Sequence, residues 1–324
     1  KHEQCAVLAG LPAGVVCTTV NKVCASGMKA VTMGAQSIQL GQSSIVVAGG
    51  MESMSNVPYY LQAGARAGRG LRYGGQQLVD GCQYDGLSDP KTHEAMGVVG
   101  EQCAREHGFT REDQDAFARE SYARARAAYA DGAFAAEVVP TEGLAQDEEV
   151  ARGQPDKFSG LRPAFAKGGS VTAASSSKIS DGAAAVVLAS GSKVQELGLK
   201  PLAQIIGYAD AETTHDQFPV APALAVPKAL LRAGISADQV DLWEFNEAFG
   251  VVAMANAKVL GLSLDKVNVL GGACALGHPI GASGARLVAT LCTALHRQGA
   301  RYGVCAICNG GGGATAVVVE RIAG

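Results

Sequence analysis

Residues 21–50 read NKVCASGMKAVTMGAQSIQLGQSSIVVAGG, which predicts a tight turn, a helix and a buried strand in that order. Apolar and small side chains recur every three to four residues over 28–40, as in an amphipathic helix, and residues 45–48 are continuously apolar. Cys24 stands where the helix begins, so free N–H groups and the helix dipole are expected to favour its thiolate. Taken alone, a cysteine in this position is more typical of a half-buried structural residue.

The same pattern recurs near the end of the chain. Residues 275–313 read ALGHPIGASGARLVATLCTALHRQGARYGVCAICNGGGG, again a glycine turn followed by a helix and a strand. Strands and helices alternate before this turn, which indicates α/β layers whose strands are buried on both faces. We therefore predict an α/β fold made of two related halves. The elements predicted ahead of the second turn are a strand at 202–206, a helix at 222–233, a strand at 241–245, a helix at 248–260 and a short strand at 267–270.

A more polar segment separates the two apolar blocks. It contains a glycine-rich loop at residues 64–75 and a helical pattern over 96–132 that ends at Gly132. We interpret it as an insertion in the first half. The predicted domains are residues 1–54 with 179–199 for the N-terminal half, 55–178 for the inserted domain and 200–324 for the C-terminal half.

The two halves differ in length before their glycine turns. About 70 residues of strand and helix precede Cys274 in the second half, whereas 23 residues precede Cys24 in the first. This comparison predicts that the first half lacks a βαβ segment at its start. The chain is then expected to be either a fragment or the product of a splicing event or a gene assignment that lost its start. Unpaired sheet edges are then expected in the first half.

Composition excludes several classes of protein. Of 324 residues, 48% are hydrophobic and 18% charged, with a net charge of −3, which gives no basic surface for nucleic acid or an anionic membrane. The nine cysteines are odd in number and irregularly spaced, so a reducing compartment is expected. No apolar run reaches the roughly 18 residues that a membrane span needs. The glycine clusters do not form a GxGxxG dinucleotide motif.

Four short stretches are hard to explain by packing alone. Each follows a predicted strand or lies on a glycine turn, the place where α/β sheets bind ligands. Singly they are weak signals: His278 could be a turn residue, Asn246 a helix cap and Cys308 a buried thiol at the end of a strand. The four are Cys24-Ala25-Ser26, Asn246-Glu247-Ala248-Phe249, Gly277-His278-Pro279 and Cys308-Asn309-Gly310.

Together and in this order, they resemble the thiolase family over nearly the whole chain. The matching motifs are NxxCASG, GGMESMS, WEFNEAF, GGACALGHPIGASGAR and ICNGGGGA. The resemblance implies two related α/β halves that form a five-layer αβαβα core, with an inserted loop domain that binds coenzyme A. It also implies a homodimer or homotetramer, and a first βαβ segment that this chain lacks.

The resemblance implies a role for each catalytic candidate. Cys24 is expected to be the nucleophile that carries the acyl group, and His278 to take its proton. With a water held by Asn246, His278 is then expected to stabilise the enolate of the second substrate. Cys308 is the implied acid and base at the acetyl methyl group. The N–H groups of Cys24 and Gly310 are the implied oxyanion hole.

Two further sets follow from the resemblance. Residues 95–97 read AMG where many short-chain members have HMG, and His93 is not assumed to be equivalent. A potassium-dependent branch implies a cation site that this chain matches only in part. The expected coenzyme A contacts are Leu87, Met96, Ala164, Phe165, Ala173, Ser177, Ala248 and Phe249, and the expected potassium ligands are Tyr122, Ala173, Ala174, Ser176 and Cys274.

The implied activity is a reversible condensation of two acetyl-CoA to acetoacetyl-CoA and coenzyme A. Coenzyme A thioesters are substrates, and no permanently bound cofactor is expected apart from potassium. Two alternatives remain open: a degradative 3-ketoacyl-CoA thiolase for longer chains, and an inactive coenzyme-A-binding or assembly subunit. The expected location is cytoplasmic, with mitochondrial or peroxisomal as alternatives.

Overall fold

Two β-sheets of unequal size flank a central pair of helices in the computed structural model, which describes residues 2–61, 75–141 and 143–322. The glycine-rich loop predicted at 64–75 lies almost wholly outside these residues. The strands are β1 Ile45–Ser53, β2 Tyr59–Leu61, β3 Leu78–Asp80, β4 Asp181–Ala189, β5 Ala203–Glu212, β6 Leu242–Phe245, β7 Tyr302–Asn309 and β8 Gly313–Arg321. The helices are α1 His2–Leu8, α2 Ser26–Gln39, α3 Met96–His107, α4 Arg111–Ala130, α5 Glu148–Arg152, α6 Gly191–Glu196, α7 Pro222–Ala233, α8 Gly250–Leu260, α9 Ala273–Leu276 and α10 Ser283–Gln298.

The larger sheet belongs to the C-terminal half and has the order β5-β8-β7-β6. Only β6 and β7 pair in parallel, and the chain between them crosses over through α8, α9 and α10. All four residues of β6 are buried, as are nearly all of β7 and β8. The prediction of strands buried on both faces is confirmed for β6, β7 and β8, whereas the edge strand β5 is only partly buried.

The smaller sheet pairs β1 with β4, antiparallel, from Ile45 opposite Ala189 to Ser53 opposite Asp181. Here the prediction of strands buried on both faces is wrong. One face packs on α2 and α10, whereas Ile45, Val47 and Val187 on the other face are 44%, 55% and 68% exposed. Because side chains alternate along a strand, cover on one face alone leaves every second residue open.

The central helices α2 and α10 contact each other through glycines. A Cβ on Gly27 would lie 2.8 Å from the Gly281 oxygen, and one on Gly284 would lie 2.4 Å from the Met28 nitrogen. The two glycines hold matching positions in CASG and GASG, so each half contributes a glycine to the contact between the two central helices. This agrees with the predicted relation between the halves.

Four layers stack through these contacts. Helix α7 covers β5 and β8, and the large sheet, the central helices and the small sheet follow in order. On the far side of the small sheet, Cys5 of α1 contacts Met51, with 3.5 Å between the sulfur atoms. These contacts build four layers of the predicted αβαβα order, and α1 makes one contact at the position of the fifth.

Two secondary-structure predictions are wrong. The expected strand at 267–270 is reduced to a single bridge between Val267 and Trp243, because Asn268 adopts a φ of +49° and uses its side chain to bond Phe245. The helical pattern over 96–132 is two helices. Gly108, at a φ of +70°, ends the first, and a capping box at Thr110 starts the second.

No helix within the described ranges combines the length and the apolar character that crossing a membrane requires.

Candidate active site

The Cys24 turn is held by hydrogen bonds of its neighbours. Ser26 Oγ accepts from the Lys22 N–H at 2.9 Å and donates to the Val23 oxygen at 2.6 Å. Val23 has a φ of +49°, which β-branched residues rarely adopt, so the surrounding contacts must hold this strain. As predicted from the sequence, Cys24 lies just before helix α2.

An ion-pair network fixes this turn to the C-terminal half. The Lys22 ammonium contacts Asp210 of β5 at 2.8 Å and Glu212 at 3.2 Å, and Lys29 contacts Asp210 at 2.6 Å. Burial alone would raise the pKa of Asp210, but the bonds from Lys22, Lys29 and Thr315 outweigh it and lower the pKa to about 2. The carboxylate is thus ionised at neutral pH and keeps the two halves in register.

The charge state of Cys24 differs from the sequence-based expectation. Burial raises the pKa of its thiol to about 11, although the backbone N–H groups of Gly310 and of Cys24 itself act in the opposite direction; Glu52 adds to the rise. The expected thiolate is therefore wrong for the resting protein, because loss of hydration outweighs the donors at the helix start. The same two N–H groups are aimed at any negative charge that develops at this sulfur.

The Gly310 N–H comes close to the Cys24 sulfur. Gly310 follows β7 in the turn to β8, and a Cβ there would lie 2.8 Å from Met96 Cε. Gly312 has a φ of +106°, and a Cβ on it would lie 2.1 Å from the Thr213 oxygen. Space and backbone conformation therefore require glycine at position 312, whereas a Cβ at position 310 would meet only the flexible end of Met96.

Side-chain contacts on both ring nitrogens orient His278. Nδ1 lies 2.5 Å from Ser283 Oγ, and Nε2 lies 3.3 Å from Asn246 Nδ2. Ser283 Oγ donates its one hydrogen to the Pro279 oxygen at 2.9 Å, so it can only accept from His278. The proton of the neutral ring is therefore on Nδ1, and the lone pair of Nε2 accepts from the Asn246 amide group.

Burial keeps His278 neutral. It lowers the pKa of the imidazole to about 3, and the positive charge of Arg286 contributes in the same direction. At neutral pH the site thus contains an uncharged thiol and an uncharged imidazole. Nε2 is thus the ring nitrogen that can take up a proton, and the sequence did not predict this orientation.

Replacing Ser283 by alanine is expected to lower kcat about 10- to 100-fold with little change in KM. Without its acceptor, Nδ1–H would be buried and unpaired, which costs about 1–3 kcal/mol and favours the tautomer protonated on Nε2. Steady-state kinetics and ring 15N NMR of His278 measure the two effects, and Ser192→Ala at the exposed start of α6 is the matched control. A loss of kcat with an unchanged ring tautomer would contradict this role.

Asn246 joins the His278 turn to the large sheet. It directly follows β6, and its N–H donates to the Ala306 oxygen of β7 at 3.2 Å. Its Oδ1 atom is buried and has no protein partner among the described residues. This free acceptor next to His278 suits a bound water, as the resemblance implied.

Cys308 is the second thiol of the site. It lies near the end of β7, is 1% exposed and packs in a cluster with Val99, Phe249 and Val252. Burial raises the pKa of its thiol well above the usual range, and negative charge on Cys24 raises it further. The two sulfurs therefore affect each other electrostatically, although 284 residues separate them (308 − 24).

Five of the expected coenzyme A contacts form an apolar wall beside Cys308. The Phe165 and Phe249 rings meet edge to face at 5.6 Å, and Met96 and Ala248 join the same cluster. Ser177 bonds the Ala248 oxygen through its N–H and its hydroxyl, both at 3.0 Å. This wall, defined by Met96, Phe165, Ser177, Ala248 and Phe249, reaches Gly310 through the Met96 side chain.

The other three expected coenzyme A contacts lie around this wall. Ala164 and Ala173 are exposed and stand on two segments joined by a bridge between Pro163 and Thr172. Leu87 ends a single π-helical turn, next to the bridge from Ser88 to Ala95 that leads to Met96. The small exposed residues leave room along this edge for an extended ligand.

The five expected potassium ligands do not fit a potassium ion. The Lys178 ammonium lies 2.5 Å from the Ala173 oxygen, 3.0 Å from the Ser176 oxygen and 3.4 Å from the Cys274 oxygen. Tyr122 gives its hydroxyl to Glu149. A cation already contacts three of the five groups, and it belongs to the protein. Within the described part of the chain, no cluster of His, Cys, Asp and Glu could hold a metal ion either.

Comparisons with known proteins agree with this geometry. The model of the thiolase N-terminal domain matches residues 1–192, and that of the thiolase C-terminal domain matches residues 199–321. A probable acetyl-CoA acetyltransferase of Dictyostelium discoideum is 54% identical, over 99% of this chain and 79% of that protein. The acetyl-CoA acetyltransferase of Schizosaccharomyces pombe is 52% identical, over 99% and 83% respectively.

Solved structures give the same result. The Acat5 thiolase of Ascaris suum in complex with coenzyme A superposes with a TM-score of 0.94 at 48% identity, over 99% of this chain and 83% of that chain. Human mitochondrial 3-ketoacyl-CoA thiolase in complex with coenzyme A gives the same TM-score at 34% identity, over 99% and 82%. With both domain models matched in order, the chain belongs to the thiolase family.

Proposed function

We propose that this protein is an acetyl-CoA C-acetyltransferase, which condenses two acetyl-CoA to acetoacetyl-CoA and coenzyme A and catalyses the reverse thiolysis. The observation that carries the proposal is the pairing of two thiols, Cys24 and Cys308, at one edge of the sheet with a neutral, oriented His278. Such a pair separates the two tasks of the reaction, since one thiol carries the acyl group and the other moves a carbon-bound proton. The names of the relatives at about half identity support the same substrate.

In the first half-reaction, Cys24 Sγ attacks the thioester carbonyl of acetyl-CoA and its proton passes to His278 Nε2. The N–H groups of Cys24 and Gly310 stabilise the oxyanion, and one such donor commonly contributes about 2.7–4 kcal/mol. Collapse of the tetrahedral intermediate breaks the bond to coenzyme A, whose thiolate takes a proton from Cys308. The products are acetyl-Cys24, free coenzyme A, a Cys308 thiolate and an imidazolium.

In the second half-reaction, the Cys308 thiolate takes a proton from the methyl group of another acetyl-CoA. The imidazolium N–H of His278 and a water on Asn246 Oδ1 stabilise the enolate oxygen. The enolate carbon attacks acetyl-Cys24, acetoacetyl-CoA is released, and the Cys24 thiolate recovers its proton from His278. Both thiols and the imidazole return to their neutral resting states.

The pantetheine arm lies against the wall of Met96, Phe165, Ser177, Ala248 and Phe249 beside Cys308. Phe165 and Phe249 offer apolar surface, while the exposed Ala164 and Ala173 leave the edge free of bulky side chains. An apolar arm gains from this burial without a charged partner. Leu87 completes the set of proposed contacts.

A second candidate is a 3-ketoacyl-CoA thiolase for longer chains, because the human mitochondrial 3-ketoacyl-CoA thiolase shares the fold at 34% identity. Thiolysis rates on acetoacetyl-CoA and on 3-ketopalmitoyl-CoA distinguish the two. We expect kcat/KM to be higher for acetoacetyl-CoA by at least about tenfold, which corresponds to about 1.4 kcal/mol. A higher value for the long chain would overturn the short-chain proposal.

A homodimer or homotetramer stays a prediction from the resemblance. The domain boundaries given above and a cytoplasmic, mitochondrial or peroxisomal location stay predictions from the sequence.

A further inference from the structure

The Lys178 ammonium lies at the centre of three carbonyl groups from two separate segments. Ala173 and Ser176 belong to its own loop in the inserted domain, and Cys274 belongs to α9 in the C-terminal half. An ammonium group has three hydrogens and no acceptor, so three carbonyl oxygens can match it one to one. The side chain is 24% exposed.

Two more groups favour positive charge at this point. The ammonium lies 5.8 Å from the centre of the Tyr122 ring, within the range of a cation–π contact. The Glu149 carboxylate lies 3.9 Å away and also accepts the Tyr122 hydroxyl at 2.5 Å. Carbonyl oxygens, one carboxylate and an aromatic ring together form a cradle for the ammonium, and the Arg126 guanidinium also lies 5.9 Å from the centre of that ring.

Lys178 also contacts the turn that carries His278, through its main chain. The Lys178 oxygen accepts the N–H of His278 at 3.2 Å, and Cys274 lies four residues before His278. Its neighbour Ser177 bonds the Ala248 oxygen in the apolar wall. Charge at the Lys178 ammonium therefore holds together the segments that place His278 and the coenzyme A wall.

We propose that Lys178 supplies, as a tethered ammonium, the positive charge that a monovalent cation would otherwise provide at this cradle. The protein then needs no potassium for stability or activity. A cation attached to the chain has no dissociation equilibrium, so the site stays ordered at any potassium concentration. The activity measurements below rest on the proposed function, whereas the stability measurements do not.

The wild-type protein is the first test. Its Tm and its thiolysis rate are measured in KCl and in choline chloride at equal ionic strength, because choline is too large for the cradle. We expect both values to be equal in the two salts. A Tm higher by about 2 °C or more in KCl would overturn the proposal, whether or not the protein is catalytically active.

Variants provide the second test. In choline chloride, Lys178→Ala is expected to lose about 10- to 100-fold in activity, the scale of charge-assisted hydrogen bonds, and to have a lower Tm. KCl or ammonium chloride should restore both in a saturable manner. Lys178→Met keeps the apolar stem and should respond less, because its side chain fills the cradle. The control is Lys193→Ala, which removes an exposed lysine on α6.

The outcomes separate three cases. Recovery by small cations in Lys178→Ala, with none in wild type and Lys193→Ala, supports a tethered charge. Equal Tm in both salts for Lys178→Ala shows that the cradle needs no cation and overturns the proposal. If wild type is inactive but Lys178→Ala alone gains Tm in KCl, the proposed function fails while the tethered charge stands.

Discussion

Replacing Cys308 by alanine is expected to abolish condensation while Cys24 still becomes acetylated. The methyl group of a thioester is a very weak acid and needs a base, whose loss commonly costs about 10²- to 10⁴-fold. Coenzyme A, by contrast, leaves as an ordinary thiolate, whose thiol has a pKa of about 8.5, and it needs little help from an acid. Rapid-quench measurement of acetyl-enzyme and a coupled assay of acetoacetyl-CoA follow the two half-reactions separately.

The control for this variant is Cys292→Ala, which removes another buried thiol, on α10 and outside the site. We expect it to change both half-reactions less than about tenfold. Equal losses of acetylation and condensation in Cys308→Ala would contradict the division of roles between the two thiols.

Replacing Cys24 by serine is expected to have the largest effect on activity. Loss of a covalent nucleophile costs on the order of 10⁴- to 10⁶-fold in kcat in well-studied hydrolases. A serine hydroxyl in the same place is a far weaker acid than a thiol, so transfer of its proton to the neutral His278 is less favourable than in wild type. Thiolysis of acetoacetyl-CoA should fall to the background rate.

Coenzyme A binding by this variant is the matched measurement. The apolar wall does not include residue 24, so the Kd for coenzyme A should stay within about threefold of wild type. A loss of binding as large as the loss of rate would mean that the variant perturbs the fold and would remove the support for Cys24 as nucleophile.

The two-half architecture could be predicted because each half repeats a local pattern that tertiary contacts reinforce. CASG and GASG both place a glycine at the helix–helix contact, and β7 reads as a largely apolar run since both of its faces are covered. The face of β1 that bears Ile45 and Val47 has the same apolar composition but is exposed. The number of layers that cover a strand cannot be predicted from its composition.

The site could be predicted in its residue types but not in its charge states. Cys24 at a helix start suggested a thiolate, whereas burial raises the pKa of the thiol to about 11. The extent of burial depends on Gly310 and the β7–β8 turn, which lie far away in the chain. The position of Cys24 at the start of a helix gives no information on these distant residues.

Two side chains with positioning roles were missed. Ser283 lies five residues after His278 within GASG, and its hydroxyl fixes the tautomer of the ring. Lys178 lies within SSSK, directly after the expected coenzyme A contact Ser177. The signals for them were a hydroxyl close enough in the chain to pair with His278 Nδ1 and a lysine in the same loop as the carbonyls of the expected cation site.

The most direct test of the central claim is mass spectrometry of wild-type protein after brief incubation with acetyl-CoA, acid quenching and proteolysis. The account predicts one acetyl group on the peptide that contains Cys24, none on the peptide that contains Cys308, and none on residue 24 in Cys24→Ser. Addition of coenzyme A before quenching should remove the label and regenerate acetyl-CoA. Absence of an acetyl group on Cys24, or its appearance on Cys308 instead, would contradict the account and favour a coenzyme-A-binding subunit or a different nucleophile.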